Sequence, residues 1–368
     1  MTDQPEIREL ALMLADDIER VAEALNLDIR SRTRRKLICF SPWNSHKNPK
    51  LEIGLYPVPG KWNDWIEGQY GDALSLVACC LAGVCEPKNS RNLGAAIRWA
   101  KEYFGYESRD PDQWRRRREE AEAKAARRSA AAARELAEQR RTAKGLWLAA
   151  KPLSPDDAGW AYLKARGIDL ARLPRLPRAV HFSPAQQWFD ETGEVRHVGP
   201  ALMSLMTLAN GKDGALHRIW IDPDRPGEKA DLSQISDRAS PRKMWPSSEG
   251  AAIRLWRGES GLSEADAVKQ GLVEDIVVCE GVEDGLSIAL MTPELRVVAV
   301  GSLPGLLAYT PPKIARRIIV AADNDWDKPQ AVALLERACK RLSEEFGRAV
   351  AVTRSPAGKD FNDLLREA

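Results

Sequence analysis

The chain has 368 residues, 44% of them hydrophobic and 29% charged, with a formal net charge of +2. That length and balance suit a soluble globular protein of two or three domains and exclude a fibrous or wholly disordered chain. A net charge so close to zero does not by itself announce a polyanionic partner, so the local distribution of charge has to decide.

The opening "MTDQPEIRELALMLADDIERVAEAL" reads as an acidic amphipathic helix rather than a basic segment leading into an apolar one, and the cytoplasm is the expected location. No run approaches eighteen uninterrupted apolar residues, so no membrane association is expected. Residues 1–108 read as a small α+β unit: the helix, a basic patch "RSRTRRKLICFSPW", a strand pair around "LEIGLYPV" and "KWNDWIE", then helices "DALSLVACCLAGV" and "NLGAAIRWAKEYFG". Residues 109–147 change to Ala, Glu and Arg with no strand signal and predict one long charged helix, read as a solvated linker, with contact to nucleic-acid phosphates as the rival reading. Residues 148–272 mix a helix ending in "AGWAYLKARGI" with strand-like "GPALMSLMTLAN" and "GALHRIWID" and a basic loop. From 273 to 368, short β-branched runs alternate with helices, which predicts a parallel sheet with crossovers. The six cysteines, Cys39, Cys79, Cys80, Cys85, Cys279 and Cys339, have no framework spacing, and disulfides are not expected.

In such a sheet ligands bind beyond the carboxyl ends of the strands. Here "DIVVCE" ends in Glu280 and "RRIIVAAD" in Asp323, with Asp325 and Asp327 following. Carboxylate oxygens suit a hard cation such as Mg²⁺, which keeps waters and shares its shell with substrate phosphates. Clustered carboxylates also repel one another, and a cation would relieve that. An acid after a strand is often only a helix cap, and Asp327 before Pro329 fits that plainer role. Two strands of one sheet ending alike favours a site over coincidence. Reading "DNDWD" as the nucleophile motif of a haloacid-dehalogenase-like phosphatase is weaker, because that family wants Thr or Val where Asp327 stands, near the domain start.

Three motifs, "VVCEGVEDGLSIAL", "IIVAADNDWDKPQAVALLERA" and "SPAGKDFNDLL", resemble in order and spacing those of the Toprim domain, and look most like the version in bacterial DnaG-type primases and primase-like proteins of phages and plasmids. The resemblance implies a C-terminal Rossmann-like α/β domain preceded by an α+β primase-core subdomain, the helical linker and a small N-terminal α+β domain. It places Glu280 on the family's glutamate, Asp284 on the acid that follows, Asp323 and Asp325 on its metal-binding DxD and Asp360 on its closing aspartate. Gln330 departs from the glycine usual there. Upstream, "GWAYLKARGI" is similar to the element opening the polymerase core of such primases, which makes Arg218, Lys229, Arg242, Lys243 and Lys359 candidates to hold template or nucleotide phosphates. The N-terminal unit looks like the end of a zinc-ribbon region, yet only Cys39 and His46 stand near ligand positions, and a ribbon needs four paired soft ligands. No zinc is expected. Trp62, Trp65 and Tyr70 are expected to pack in the metal's place, while Arg32, Arg34, Arg35 and Lys36 face DNA backbone.

The resemblance thus implies a primase-like nucleotidyltransferase that uses Mg²⁺ or Mn²⁺, a single-stranded DNA template and nucleoside triphosphates. A Toprim nuclease and a catalytically silent nucleic-acid-binding adaptor in phage or mobile-element replication are the alternatives. A G-x-x-x-x-G-K-[ST] phosphate loop does not occur, so unwinding is expected from a separate replicative helicase.

Overall fold

The computed structural model of the chain describes residues 4–105, 111–236 and 239–367. It divides into two compact units, Met1–Glu135 and Leu136–Ala368.

The first unit opens with helices α1 (Gln4–Asp16) and α2 (Ile18–Ala24). Five short strands follow, β1 (Ile29–Arg32), β2 (Lys36–Cys39), β3 (Leu51–Gly54), β4 (Trp62–Asp64) and β5 (Gln69–Gly71). They pair in chain order as an antiparallel sheet, where the sequence predicts only a strand pair. Alternation in β2 to β4 turns Leu37, Cys39, Leu51, Ile53 and Trp62 inward, onto Leu10, Leu14, Leu76 and Val77 of the helical layer. Helix α3 (Ala73–Ala82) starts at a capping box between Asp72 and Ser75, and α4 (Ser90–Tyr103) completes the layer.

The expected aromatic substitute for a metal holds only for Trp62. The period of β4 buries Trp62 and Asp64, whereas Trp65 and Tyr70 lie beyond it, 62% and 54% exposed. The ring packed on Trp62 is Trp43, 5.6 Å away. Beneath them the fully buried Asp64 accepts from Ser41 Oγ (2.6 Å), Trp43 Nε1 (2.8 Å) and the amides of Ile66 and Glu67. Burial opposes its charge, yet these four donors hold its carboxyl below the usual range.

Helix α5 (Pro111–Ala149) runs 39 residues and crosses the division between the units. The expected linker start at 109 lies outside the described residues. As its composition predicts, α5 is largely exposed, with Ala121 and Ala143 its buried points among the described side chains.

The second unit continues with β6 (Lys151–Pro152), α6 (Ala158–Ala165), β7 (Val180–Phe189), β8 (Val195–Thr207), β9 (Asp213–Trp220) and β10 (Arg242–Trp245). These strands make an antiparallel sheet in the order β10-β9-β8-β7-β6. Then come β11 (Ile253–Arg257), α7 (Glu264–Lys269), β12 (Glu274–Cys279), α8 (Val282–Met291), β13 (Arg296–Ala299), α9 (Leu303–Ala308), β14 (Ala315–Ala322), α10 (Pro329–Glu344), β15 (Ala349–Arg354) and α11 (Phe361–Glu367). Their sheet has the order β11-β13-β12-β14-β15, parallel except for the antiparallel edge strand β11. Apolar runs in β12 and β14 suit strands covered on both faces. One core, containing Tyr162, Leu202, Ile219, Leu255, Val277 and Leu286, joins the antiparallel sheet to α8 and the parallel sheet. Among the described residues no helix is long and apolar enough to cross a membrane.

Candidate active site

Five acidic residues, Glu280, Glu283, Asp284, Asp323 and Asp360, line one cleft of about 360 Å³ beyond the carboxyl ends of β12 and β14, with Arg242 and Met244 of β10 across from them. Each is placed by a local device. Glu280 follows β12, where its carbonyl accepts the Gly301 amide at 2.8 Å. Gly281 caps α8, and a Cβ there would stand 2.7 Å from Asp284 Oδ2, so only glycine leaves that carboxylate its place. Asp323 ends the run of β14, and the neighbouring Asn324 ties this loop to the closing one. Its Nδ2 donates to the carbonyls of Ser355 (3.0 Å) and Gly358 (2.9 Å), and its amide donates to Lys359 O (2.9 Å). Asp360 Oδ1 accepts from the amides of Asn362 and Asp363, which starts α11, and the Asn362 amide also reaches Asp284 Oδ1 at 3.2 Å.

The cleft is electrostatically strained. Burial, reinforced by Asp323 and Asp325, pushes the Glu280 carboxyl up to about 7. Burial and the Asp360 charge push Asp284 well up, and burial and Asp360 raise Asp323 as well. Hard oxygen donors that repel one another are the set a divalent cation would relieve. Among the described residues no three His, Cys, Asp or Glu side chains stand close enough to enclose a metal ion unaided. Mg²⁺ makes no such demand, since it is usually held by one or two carboxylates together with waters and phosphates. Carboxylate oxygens of this kind are the donors that Mg²⁺ or Mn²⁺ accepts, and Glu280, Asp284 and Asp323 are cleft carboxylates that could hold one.

Other predicted residues stand elsewhere. Asp325 does not line the cleft; it pairs with Lys328 at 2.7 Å, which holds its carboxyl below the usual range. Asp327 does not cap α10, whose N-cap is Lys328 with Pro329 in the first turn. The period of β9 turns Arg218 away from the cleft, onto Trp220 and the α5 side, where burial lowers it to about 10. Lys243 stands opposite Arg218 in the β10–β9 register and turns to the same face, away from the carboxylates, with its ammonium over the Trp188 ring, 3.5 Å from the centroid, where it donates to Phe189 O. Arg242 and Lys359 line the cleft. In the first unit Arg34 lies over Tyr56 and Arg35 pairs with Glu135 at 3.1 Å.

Glu283, whose position reads as an ordinary first-turn acid, is a correction: it is 5% exposed and buried in a network. Its Oε1 accepts from Tyr162 Oη at 2.8 Å and pairs with Lys229 Nζ at 2.7 Å, so Lys229 is spent on this acid. Burial opposes its charge, but Lys229 holds the carboxyl down at about 2. His217 lines the same cleft, and burial lowers it to about 4. A signal for Glu283 exists in the sequence: "VEDGLSIAL" is apolar nearly all round, so an acid within it has little open water to face.

Residues 275–368 match the sequence model of the Toprim domain family, and residues 137–255 match one described as a domain of unknown function, DUF7146. A search of curated proteins found no match. Among solved structures, the zinc-binding and RNA polymerase domains of the Aquifex aeolicus primase are similar at TM-score 0.38 and 15% identity, over 98% of this chain and 82% of that one. The RNA polymerase domain of Mycobacterium tuberculosis primase DnaG, solved with double-stranded DNA, aligns at TM-score 0.37 and 16% identity, over 63% and 78%. The primase fragment of the bacteriophage T7 primase-helicase protein aligns at TM-score 0.31 and 18% identity, over 48% and 61%. The strand order, the acids beyond β12 and β14 and the family match over the same span agree: residues 275–368 of this chain are a Toprim domain.

Proposed function

We propose that the chain is a primase-like nucleotidyltransferase that builds short primers on a single-stranded DNA template from nucleoside triphosphates. The observation that carries this is one cleft with two chemistries: repelling carboxylates on the Toprim wall and cationic side chains on and beside the β10 wall. A divalent cation held by Glu280, Asp323 and Asp284 would supply charge neutralisation for a triphosphate and lower the pKa of an attacking 3′-hydroxyl. Asp325 joins that set only on leaving Lys328. Arg242 and Lys359 would hold phosphates, Arg as a bidentate fork and Lys as a point charge. The Tyr162–Glu283–Lys229 network fixes the first turn of α8, and with it the direction of Asp284. We also propose that residues 1–108 are a zinc-less relative of a zinc-ribbon domain held by Asp64 and the Trp43–Trp62 pair, that Arg34 and Arg35 meet DNA backbone, and that a separate helicase unwinds the template.

The test is incubation with single-stranded DNA, labelled ribonucleotides and Mg²⁺ or Mn²⁺. New short oligomers are expected, and Asp323→Asn should lower their yield at least about a hundredfold, as removal of a transition-state charge stabiliser does. Shortened template instead of new product would replace the reading with phosphodiester cleavage, and an equally active Asp323→Asn would end the site assignment.

A further inference from the structure

A second cavity, of about 620 Å³, opens at the other end of the Toprim sheet. Its wall carries five arginines, Arg175, Arg178, Arg254, Arg257 and Arg296. Arg257 and Arg296 face each other across the β11–β13 pair at the amino end of β13, whereas the acidic cleft lies beyond the carboxyl ends. Two of the five are neutralised: Arg254 by Glu264 at 3.2 Å and Arg296 by Glu274 at 2.5 Å. No carboxylate lies within ion-pair distance of Arg175, Arg178 or Arg257 among the described residues. Arg175 donates to Gly258 O and lies over the Trp256 ring at 4.4 Å; Arg257 donates to Gly261 O. At Gly261, φ +66°, a Cβ would stand 2.7 Å from Arg175 Nη1, so glycine leaves this guanidinium its place. Burial lowers Arg257, and Arg178, Arg296 and Arg175 lower it further, as four guanidinium groups lining one cavity would.

We propose that this cavity binds a small anion with two or more linked phosphates, at a site separate from the acidic cleft. Guanidinium forks match phosphate oxygens in pairs, and three uncompensated forks ask for more charge than one monoanion carries. The volume is that of a small-ligand site. Trp256 is 2% exposed and already covered by Arg175, but the half-buried Trp147, with one ring face stacked on His181, lines the cavity beside the arginines and offers its remaining surface to a nucleoside, should the phosphates belong to one.

The test is calorimetric titration of the full chain in EDTA with inorganic tripolyphosphate and with ATP, so that no metal–nucleotide complex forms at the carboxylates. Saturable binding of tripolyphosphate is expected. Arg178→Glu, at an exposed side chain with no ion-pair partner, should weaken it roughly tenfold or more, while Asp323→Asn leaves it unchanged. Equal affinity for both probes assigns recognition to the phosphates alone, and tighter ATP adds the Trp147 wall. No binding, binding indifferent to Arg178→Glu, binding lost with Asp323→Asn, or binding of a single DNA strand that tripolyphosphate does not displace would each overturn the proposal. Because no polymerisation is read, failure here leaves the proposed function standing, and the reverse.

Discussion

The two ends of β12 carry glutamates six positions apart in opposite electrostatic states. At the amino end Glu274 is paired with the buried Arg296 at 2.5 Å, and against its burial this holds its carboxyl below the usual range. Its neighbour Asp275 is likewise held low by Arg316 and Arg317. At the carboxyl end Glu280 meets burial and other acids, and is pushed up to about 7. One sheet thus satisfies its acids at the amino end of β12 and leaves them crowded and without cationic partners at the carboxyl end, where the proposed site lies. Unrelieved charge separates a site from a scaffold here better than the mere presence of acids does.

The contrast breaks most sharply at Arg296. Arg296→Met strips the partner from a carboxylate with 17% of its side chain exposed, and should cost about 3 kcal/mol, seen as a lower urea midpoint. At the other end the sign reverses. Glu280→Gln in EDTA at pH 8 should stabilise the chain by roughly 2 kcal/mol, because it removes a charge that burial and Asp323 disfavour. The pH profile follows. A carboxyl raised in the folded state contributes fully below its unfolded pKa, and the contribution is lost as pH rises toward and through 7; Glu280 therefore weakens the metal-free protein on the alkaline side. Glu274 and Asp275, held low, contribute above their unfolded pKa and lose it as pH falls below about 4. Unfolding in EDTA across pH 4 to 9 should show an alkaline decline that Glu280→Gln lessens, the remainder coming from Asp284 and Asp323, which are raised in the same way. An unchanged alkaline limb in that variant would remove Glu280 as its source.

Much of this was legible in the sequence. Alternating β-branched runs and helices give the parallel sheet, and two strands ending in acids lead to Glu280 and Asp323 before any coordinates. The antiparallel edge strand β11 was not legible, because "IRLWR" carries no sign of its partner's direction. Which way an acid turns was equally hidden: Asp325 chooses Lys328, three residues on, and Glu283 finds Lys229 from a distant loop. Arg218 looked like its basic neighbours, and only the register of β9 decides that it faces Trp220. Asp64 shows the same limit, since its two side-chain donors come from Ser41 and Trp43, more than twenty residues earlier.

The smallest effect tests whether the amino-end pairing is shared. Arg316 and Arg317 both bind Asp275, at 2.9 and 2.6 Å, but their own side chains are 66% and 50% exposed. Arg316→Ala should therefore cost no more than about 0.5 kcal/mol, the usual worth of an exposed ion pair, because Arg317 still serves the buried acid. With both removed, Asp275 is left buried without a cation, and the double variant should exceed the sum of the singles by about 1 kcal/mol. Additive costs in that cycle would mean that each arginine acts alone, and that Asp275 is protected by solvent rather than by its pair.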